Sequence, residues 1–377
     1  MIKSESQSRS SAGGILILLL AAGSSVDAEV PGYQVETIAQ INVSTFLRGA
    51  SPGGHLVGSM VINGQQQAFV ATSTDGVVML PLPPGYNSAD AFDANSAGTV
   101  VGTVSDAGFP QDVGEPAVWS RNAQGTYEIT IPQQFASLPS PLGGNLAIQG
   151  GQIVGIDEAG TLIGWSRFFG FSGGPTTLFS MSTAPIELRP LGFDATVRDL
   201  SDHNGIIVGD QLRMDLDTGV VEDLGVPNPP EGPNFAFGIA YAVNDTGRSV
   251  IAGNTTSSIP TENWLTLYHD PADGYHRLDP SELPQRFVGF YDLNNLGDIA
   301  SSTGIWFEAE QQLVHGLDTL LTDEFSNWNV GVGYINDRRE VYTGAFDTTT
   351  GTSWLVRLVP ASDRIFVTGF EPDKPAR

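Results

Sequence analysis

A short phrase returns seven times along this chain of 377 residues, and it constrains the fold more than any other feature. Each copy has a small or aromatic residue, a polar turn and a β-branched run that closes, in most copies, on glycine. Successive copies lie 44, 53, 54, 44, 48 and 43 residues apart. A unit this short cannot bury both of its faces alone, so neighbouring copies must stack on one another. The copies occupy residues 56–58, 100–102, 153–155, 207–209, 251–253, 299–301 and 342–344.

The fifth copy shows how one repeat predicts four short strands. Residues 239–243 alternate in the manner of a strand, and the polar run 244–247 ends on a glycine that permits a tight turn. Further strands are predicted at 249–253, 264–268 and 275–278. Four antiparallel strands in so few residues are typical of one propeller blade. The predicted third strands carry a large hydrophobic residue at Phe69, Trp119, Trp165, Trp264, Trp306 and Trp354.

The two ends of the repeat array predict how the blades are closed. The seventh copy stops after its third strand, at 353–359, while the segment 33–38 precedes the first copy and has no partner of its own. We therefore predict an all-β propeller of about seven four-stranded blades, whose last blade is closed by the N-terminal strand. Closure would remove exposed sheet edges. An open β-solenoid is the alternative.

Composition narrows the classes of partner. The chain has 42 acidic and 17 basic residues, and its formal net charge of −25 argues against binding to nucleic acid or to anionic lipid. It has no cysteine, so disulfides, thiolate catalysis and cysteine-based zinc sites are excluded. We expect a monomer without a cofactor, whose partner is an unknown ligand, either a glycan or a protein.

The N-terminus is predicted to be an export signal. Residues 1–28 combine a weakly basic start, the apolar run 14–22 and small residues before Glu29. The apolar run is too short to span a bilayer as a stable helix, and no later segment is apolar enough. We expect a repeat domain at 29–360, a C-terminal tail at 361–377, and a secreted, periplasmic or cell-surface location in a bacterium.

The repeated phrase resembles the HAF-type repeats of bacterial extracellular proteins. The run 91–102 carries the motif most fully, while Ala117-Val118-Trp119 and Asp223-Leu224-Gly225 supply its later parts from other repeats. The resemblance covers residues 33–359 and implies export and a propeller-like fold, but no established reaction. The segment 364–372 is also similar to a short tail on exported proteins of certain gammaproteobacteria, with Thr368 in place of the usual acidic residue.

Residue patterns indicate no catalytic or metal-binding residues. The five histidines have neither helical metal-pair spacing nor a His-Glu-x-x-His motif. His55 and His203 fall in equivalent turns, where a turn role explains them. The acid-rich turns 202–205 and 244–247 lack a regular calcium-loop pattern and are interpreted as structural. The carboxylate pairs 222–223 and 323–324 do not predict a glycosidase by themselves, because that chemistry depends on separation across a cleft.

Long loops are the better candidates for recognition, because binding residues concentrate on loops held by a rigid scaffold. Loops are predicted at 104–116, 167–184 and 228–237. The second contains the candidate ligand-binding residues Phe168, Phe169 and Phe171, which either form an exposed platform for a sugar or an apolar partner, or cap the core.

The sequence therefore favours an exported, non-enzymatic binding or surface-associated propeller. The alternatives are a carbohydrate-active hydrolase or lyase, whose site residues converge from several blades, and an inert component of the envelope or matrix.

Overall fold

The chain forms almost nothing but β-strands. The computed structural model describes residues 30–41, 43–106, 114–133, 148–168, 176–182, 188–193, 197–224, 235–256, 264–278, 292–301, 304–331 and 333–361. In these ranges the helical content is two short 3-10 helices, Leu317–Leu320 and Asp323–Phe325. None of the helices in this part of the chain is long and apolar enough to cross a membrane.

The strands form seven antiparallel sheets, each built from consecutive strands except the last. Blade 1 contains β2 (Thr45–Ala50), β3 (Leu56–Ile62), β4 (Gln65–Thr72) and β5 (Gly76–Met79). Blade 2 contains β6 (Ser88–Ala94), β7 (Val100–Ser105), β8 (Glu115–Arg121) and β9 (Tyr127–Thr130). Blade 3 contains β10 (Ile148–Ile156), β11 (Thr161–Phe168), β12 (Thr176–Ser182) and β13 (Leu188–Phe193). Blade 4 contains β14 (Val197–Leu200), β15 (Ile206–Gly209), β16 (Leu212–Asp215) and β17 (Val221–Asp223). Blade 5 contains β18 (Phe235–Val243), β19 (Ser249–Thr255), β20 (Trp264–Asp270) and β21 (Gly274–Arg277). Blade 6 contains β22 (Asp292–Leu293), β23 (Ile299–Ser301), β24 (Gly304–Phe307) and β25 (Gln312–His315). Blade 7 contains β26 (Trp328–Val330), β27 (Tyr334–Ile335), β28 (Val341–Asp347), β29 (Thr352–Pro360) and β1 (Tyr33–Ile41).

The N-terminal strand completes the last blade, so the predicted closure is confirmed. β1 pairs antiparallel with β29, from Tyr33 opposite Pro360 to Ile41 opposite Ser353. The Tyr33 side chain is fully buried, and its hydroxyl donates a hydrogen bond to the carbonyl of Arg339 at 2.9 Å. The molecule is therefore a closed seven-bladed β-propeller, and the open solenoid is excluded.

The hydrophobic core lies between the blades. Seven clusters of buried side chains fill the seven interfaces between neighbouring blades. The cluster that closes the ring joins Leu56, Met60 and Phe69 of blade 1 to Tyr342 and Leu355 of blade 7. A blade on its own would leave both of these apolar faces in water, so the ring is the unit that folds.

The same polar turn follows the innermost strand of every blade. Its first residue accepts a hydrogen bond, through its side-chain oxygen, from a backbone N–H four or five residues later. Ser, Asn and Asp suit this position because their short polar side chains bond to nearby backbone groups. The seven residues are Ser51, Asn95, Asp157, Ser201, Asn244, Asn294 and Asn336.

The third blade is displaced by one strand from its predicted position. Residues 153–155 belong to the innermost strand of this blade, and Trp165 lies on the second strand, although both were assigned one strand further out. The glycine equivalent to Gly102 is Gly164: a β-carbon on either would lie 2.0 or 2.1 Å from a carbonyl of the innermost strand, whereas one on Gly155 would make no such clash. Residues 153–155 and residues 161–164 both carry apolar residues followed by glycine. The pattern therefore led to the wrong assignment of 153–155 as the second strand.

Asn294 tests the contribution of the repeated turn. Its Oδ1 accepts the N–H groups of Leu296 and Asp298, and its Nδ2 donates to the carbonyl of Asn336 in the next blade at 3.1 Å. Because Asn294 is only 4% exposed, Asn294→Ala is expected to lower the free energy of unfolding by about 1–3 kcal/mol. The exposed substitution Asn329→Ala is the control and should change it by less than about 0.5 kcal/mol. Equal urea midpoints for the two variants would contradict a structural role for this turn.

Candidate functional site

A cavity of about 510 Å³, partly open to solvent, lies on the propeller axis and receives side chains from all seven blades. Sites for small molecules usually have volumes of about 300–1,000 Å³, so this cavity is large enough for one. Its lining mixes arginines, aromatic rings and carboxyl groups. No single loop builds it, because it is lined by the innermost strands, by the turns that follow them, and by Trp165 and Arg167 of the second strand of blade 3.

A β-bulge in the innermost strand supplies many of the cavity side chains. In each of the first five blades, the pairing of the first and second strands skips one residue near the end of the innermost strand, and blades 3 and 5 have a second irregularity near the start of that strand. A bulge leaves the extra residue outside the ladder and redirects its side chain. Each residue skipped near the end of the strand lies three positions before the polar turn and lines the cavity: they are Arg48, Phe92, Val154, Arg198 and Tyr241.

Two of these bulge residues are arginines that stack on the bulge residue of the next blade. The guanidinium carbon of Arg48 lies 5.8 Å from the ring centroid of Phe92, and that of Arg198 lies 6.0 Å from the ring of Tyr241. Cation–π contacts of this kind contribute about 0.5–2 kcal/mol each. This arrangement between neighbouring bulge residues therefore occurs twice around the axis. A third cavity-lining arginine, Arg167, lies 5.4 Å from the ring centroid of Trp165 on its own strand of blade 3.

The partners of the two arginines differ. Arg48 donates through Nε and Nη2 to the buried carboxylate of Asp90, at 3.1 and 2.9 Å. Arg198 contacts Asp210 through Nη2 at 3.4 Å, and both side chains of that pair are more than a third exposed. Since a guanidinium carries five N–H donors, each arginine keeps donors that can serve a ligand in the cavity.

Three aspartates in the cavity wall bind neighbouring blades together. Asp93, Asp199 and Asp292 lie two residues before the polar turn in blades 2, 4 and 6. Their carboxyls accept the backbone N–H groups of Ile156, Val243 and Ile335 in the following blades, at 2.9, 2.8 and 2.7 Å. Each also accepts the N–H of its own next residue. We call this set the aspartate latches.

Burial favours the neutral form of the aspartate latches. Although their side chains border the cavity, they lie deep in the molecule and are poorly solvated. Desolvation raises the pKa of Asp199 to about 8 and that of Asp292 to about 6, and it raises the pKa of Asp93 well above its usual value. At neutral pH, Asp199 is therefore mostly protonated and does not cancel the arginine charges.

At the end of the cavity nearest the polar turns, hydrogen bonds link the turns of blades 4 to 7. Asp245 accepts the backbone N–H of His203 at 2.8 Å, and its own N–H donates to Asn295. The Asn295 amide donates to both Asp245 and Asp337, at 2.8 and 2.9 Å. These acidic side chains therefore serve the ring of turns, as the sequence predicted for the runs 202–205 and 244–247.

The structure places one of the three candidate aromatic residues in the core. Phe168 is fully buried between blades 2 and 3, so its ring cannot form an exposed platform. Phe169 and Phe171 lie outside the described residues, and a binding role for them stays a prediction. The predicted loop 167–184 contains β12, and the other two predicted loops fall largely outside the described ranges.

The histidines do not gather at the axis. His55 and His203 lie in polar turns, as predicted, and bond to Ser51 at 3.1 Å and to Asp245 at 2.9 Å. No histidine is among the cavity-lining residues of the described ranges. Within the same ranges, no group of three or more His, Cys, Asp or Glu side chains is arranged to hold a metal ion.

Comparison with solved structures supports the fold. No family model matches the sequence, and no curated protein matches it. An oligogalacturonate lyase from Vibrio parahaemolyticus superimposes with a TM-score of 0.52 at 7% identity, over 89% of this chain and 98% of that one. An oligogalacturonate lyase in complex with manganese gives a TM-score of 0.51 at 9% identity, over 88% and 97%. The likeness is one of fold. At such identities it transfers no residue roles to this propeller.

Proposed function

We propose that this protein is an exported, non-enzymatic binding propeller whose axial cavity holds a carboxylate-bearing saccharide. The observation that carries the proposal is the pair of bulge arginines, Arg48 and Arg198, each stacked on an aromatic ring in a chain that has only 17 basic residues. A guanidinium presents a planar set of donors that matches a carboxylate, and the neighbouring ring offers an apolar face. The export signal and the resemblance to HAF-type repeats support a location outside the cytoplasm.

The polar groups of the cavity favour an anionic ligand over a cationic one. The acceptor oxygens of Asp93 are both used by backbone N–H groups, and the carboxyls of Asp199 and Asp292 each accept two such groups. The arginines, in contrast, retain unused donors. A ligand that supplies acceptors therefore complements the cavity better than one that supplies donors.

The backbone bonds of these three carboxyls support a binding role over hydrolysis. Among the described residues, the one lining carboxyl without such a bond is Asp202, whose pKa is raised by burial to about 7. A glycosidase needs one carboxylic acid to protonate the leaving group and a second carboxylate as nucleophile or base. The aspartate latches are instead bonded to the backbone and hold blades together. The similarity in fold to oligogalacturonate lyases makes oligogalacturonates the natural first probes.

Calorimetric titration of the mature protein tests the proposal. Digalacturonate is expected to bind, whereas its methyl ester, which lacks the negative charges, should bind at least 10-fold more weakly. Arg198→Gln is expected to weaken binding of digalacturonate by about 10- to 100-fold, the usual cost of losing a charged hydrogen-bond partner. Arg121→Gln removes an arginine that lies outside the cavity and is the matched control.

Equal binding of the acid and the ester, or equal effects of the two substitutions, would contradict the proposal.

A second candidate function is a lyase, favoured by the Tyr334 hydroxyl, which lines the cavity without a hydrogen bond to another described residue. The ultraviolet absorbance of an unsaturated product during the same titration would establish that activity.

A further inference from the structure

The two Arg–aromatic pairs occupy equivalent positions in the repeat. Arg48 and Arg198 are both bulge residues three positions before a turn serine, and their partners Phe92 and Tyr241 are the bulge residues of the following blades. Equivalent repeat positions lie at the same height along the axis, because the seven sheets are arranged around it. The backbones of Arg48 and Arg198 therefore lie at one level along the axis.

The blade order places these pairs on nearly opposite sides of the axis. One pair belongs to blades 1 and 2 and the other to blades 4 and 5, three steps around a ring of seven. Val154, Trp165 and Arg167 of blade 3 lie between them on one side, and Asp292 and Tyr334 of blades 6 and 7 lie between them on the other. The two bulge arginines thus belong to nearly opposite walls of the same cavity, and Arg167 is a third arginine in the wall between them.

We propose that the cavity selects a ligand with two carboxylates, one for each Arg–aromatic pair, such as a diuronide. This inference rests on the proposed function and specifies its ligand. A ligand with a single carboxylate occupies either pair alone. A ligand with two correctly spaced carboxylates occupies both, and its second contact is intramolecular, so its affinity rises without any new kind of contact.

Stoichiometry distinguishes this arrangement from a single acidic site. In titration calorimetry, two molecules of galacturonate are expected to bind per protein, but only one molecule of digalacturonate, at least 10-fold more tightly. Arg198→Gln should reduce the galacturonate stoichiometry from two to one while the remaining affinity changes little. The same variant should bind digalacturonate no more tightly than galacturonate.

The opposite pair needs a variant that keeps the fold. Because Arg48→Gln alone would leave the buried Asp90 without its partner, the double variant Arg48→Gln/Asp90→Asn preserves a neutral hydrogen-bonded pair. It should show the same loss as Arg198→Gln, with a melting temperature close to that of the wild type.

Two outcomes would overturn the inference: one galacturonate per protein, or equal affinities for galacturonate and digalacturonate. Either result leaves the proposed function standing, because an acidic saccharide would still bind in the cavity. The absence of binding by any uronate, in contrast, would overturn the proposed function itself.

Discussion

Removal of residues 29–41 from the mature chain is expected to unfold the whole ring rather than to loosen one blade. The deletion takes away β1, exposes the edge of β29, and removes Tyr33 and Val35 from the core between blades 6 and 7. Loss of the buried Tyr33 side chain alone, in Tyr33→Ala, should cost about 3–5 kcal/mol. Because each blade is stabilised by its neighbours, one open interface weakens the entire array.

Melting followed by circular dichroism measures this effect. The deletion should lower the melting temperature strongly or abolish the cooperative transition, and Tyr33→Ala should give an intermediate result. Thr37→Ala changes an exposed residue of the same strand and is the control, with an expected effect below about 0.5 kcal/mol. An unchanged melting temperature in the deletion variant would mean that β1 is dispensable.

The stability of the protein is expected to fall as the pH rises from 5 to 9. In an unfolded chain an aspartate has a pKa near 3.9, whereas burial raises the pKa of Asp199 to about 8 and that of Asp292 to about 6. Between these values the folded state holds protons that the unfolded state has released. The stabilisation is therefore complete below about pH 4 and is lost as the pH rises through the folded values, by at most about 1.4 kcal/mol per pH unit for each group.

Asp199→Asn isolates this effect. The amide oxygen can still accept the N–H of Val243, but the side chain no longer ionises. The variant should lose less stability than the wild type between pH 6 and 9. Burial lowers the pKa values of His55 and His269, so these groups make the protein more stable as the pH rises. Their contribution is the same in the wild type and in Asp199→Asn, so it does not affect the comparison. Asp217→Asn, at an exposed turn, is the control, and parallel stability curves for Asp199→Asn and the wild type would contradict the interpretation.

Repetition made the architecture predictable. The spacing of the repeated phrase predicted the number of blades, and the unpaired segment at 33–38 predicted the closure, because a ring must pair its first and last strands. The third blade was misplaced since the glycine run at 153–155 resembles the run at 161–164. What decides between them is a close approach of two backbones, which a single-repeat pattern does not show.

The cavity was not predicted, although the sequence contains a signal for it. Arg48, Phe92, Val154, Arg198 and Tyr241 share one repeat position, three residues before the polar turn. Their variation between charged, aromatic and aliphatic types contrasts with the small polar residue, Ser, Asn or Asp, that begins each turn. A bulge redirects a side chain without changing the strand pattern, so the alternation gives no indication that this position faces the axis. The aromatic run around Phe168 was more conspicuous, yet that ring is buried.

A crystal structure of the mature protein with digalacturonate tests the binding role of the axial cavity most directly. We expect one digalacturonate molecule in the cavity, with its two carboxylates at Arg48 and Arg198. Density for the sugar at the long connections instead, with only water on the axis, would show that the cavity is not the binding site.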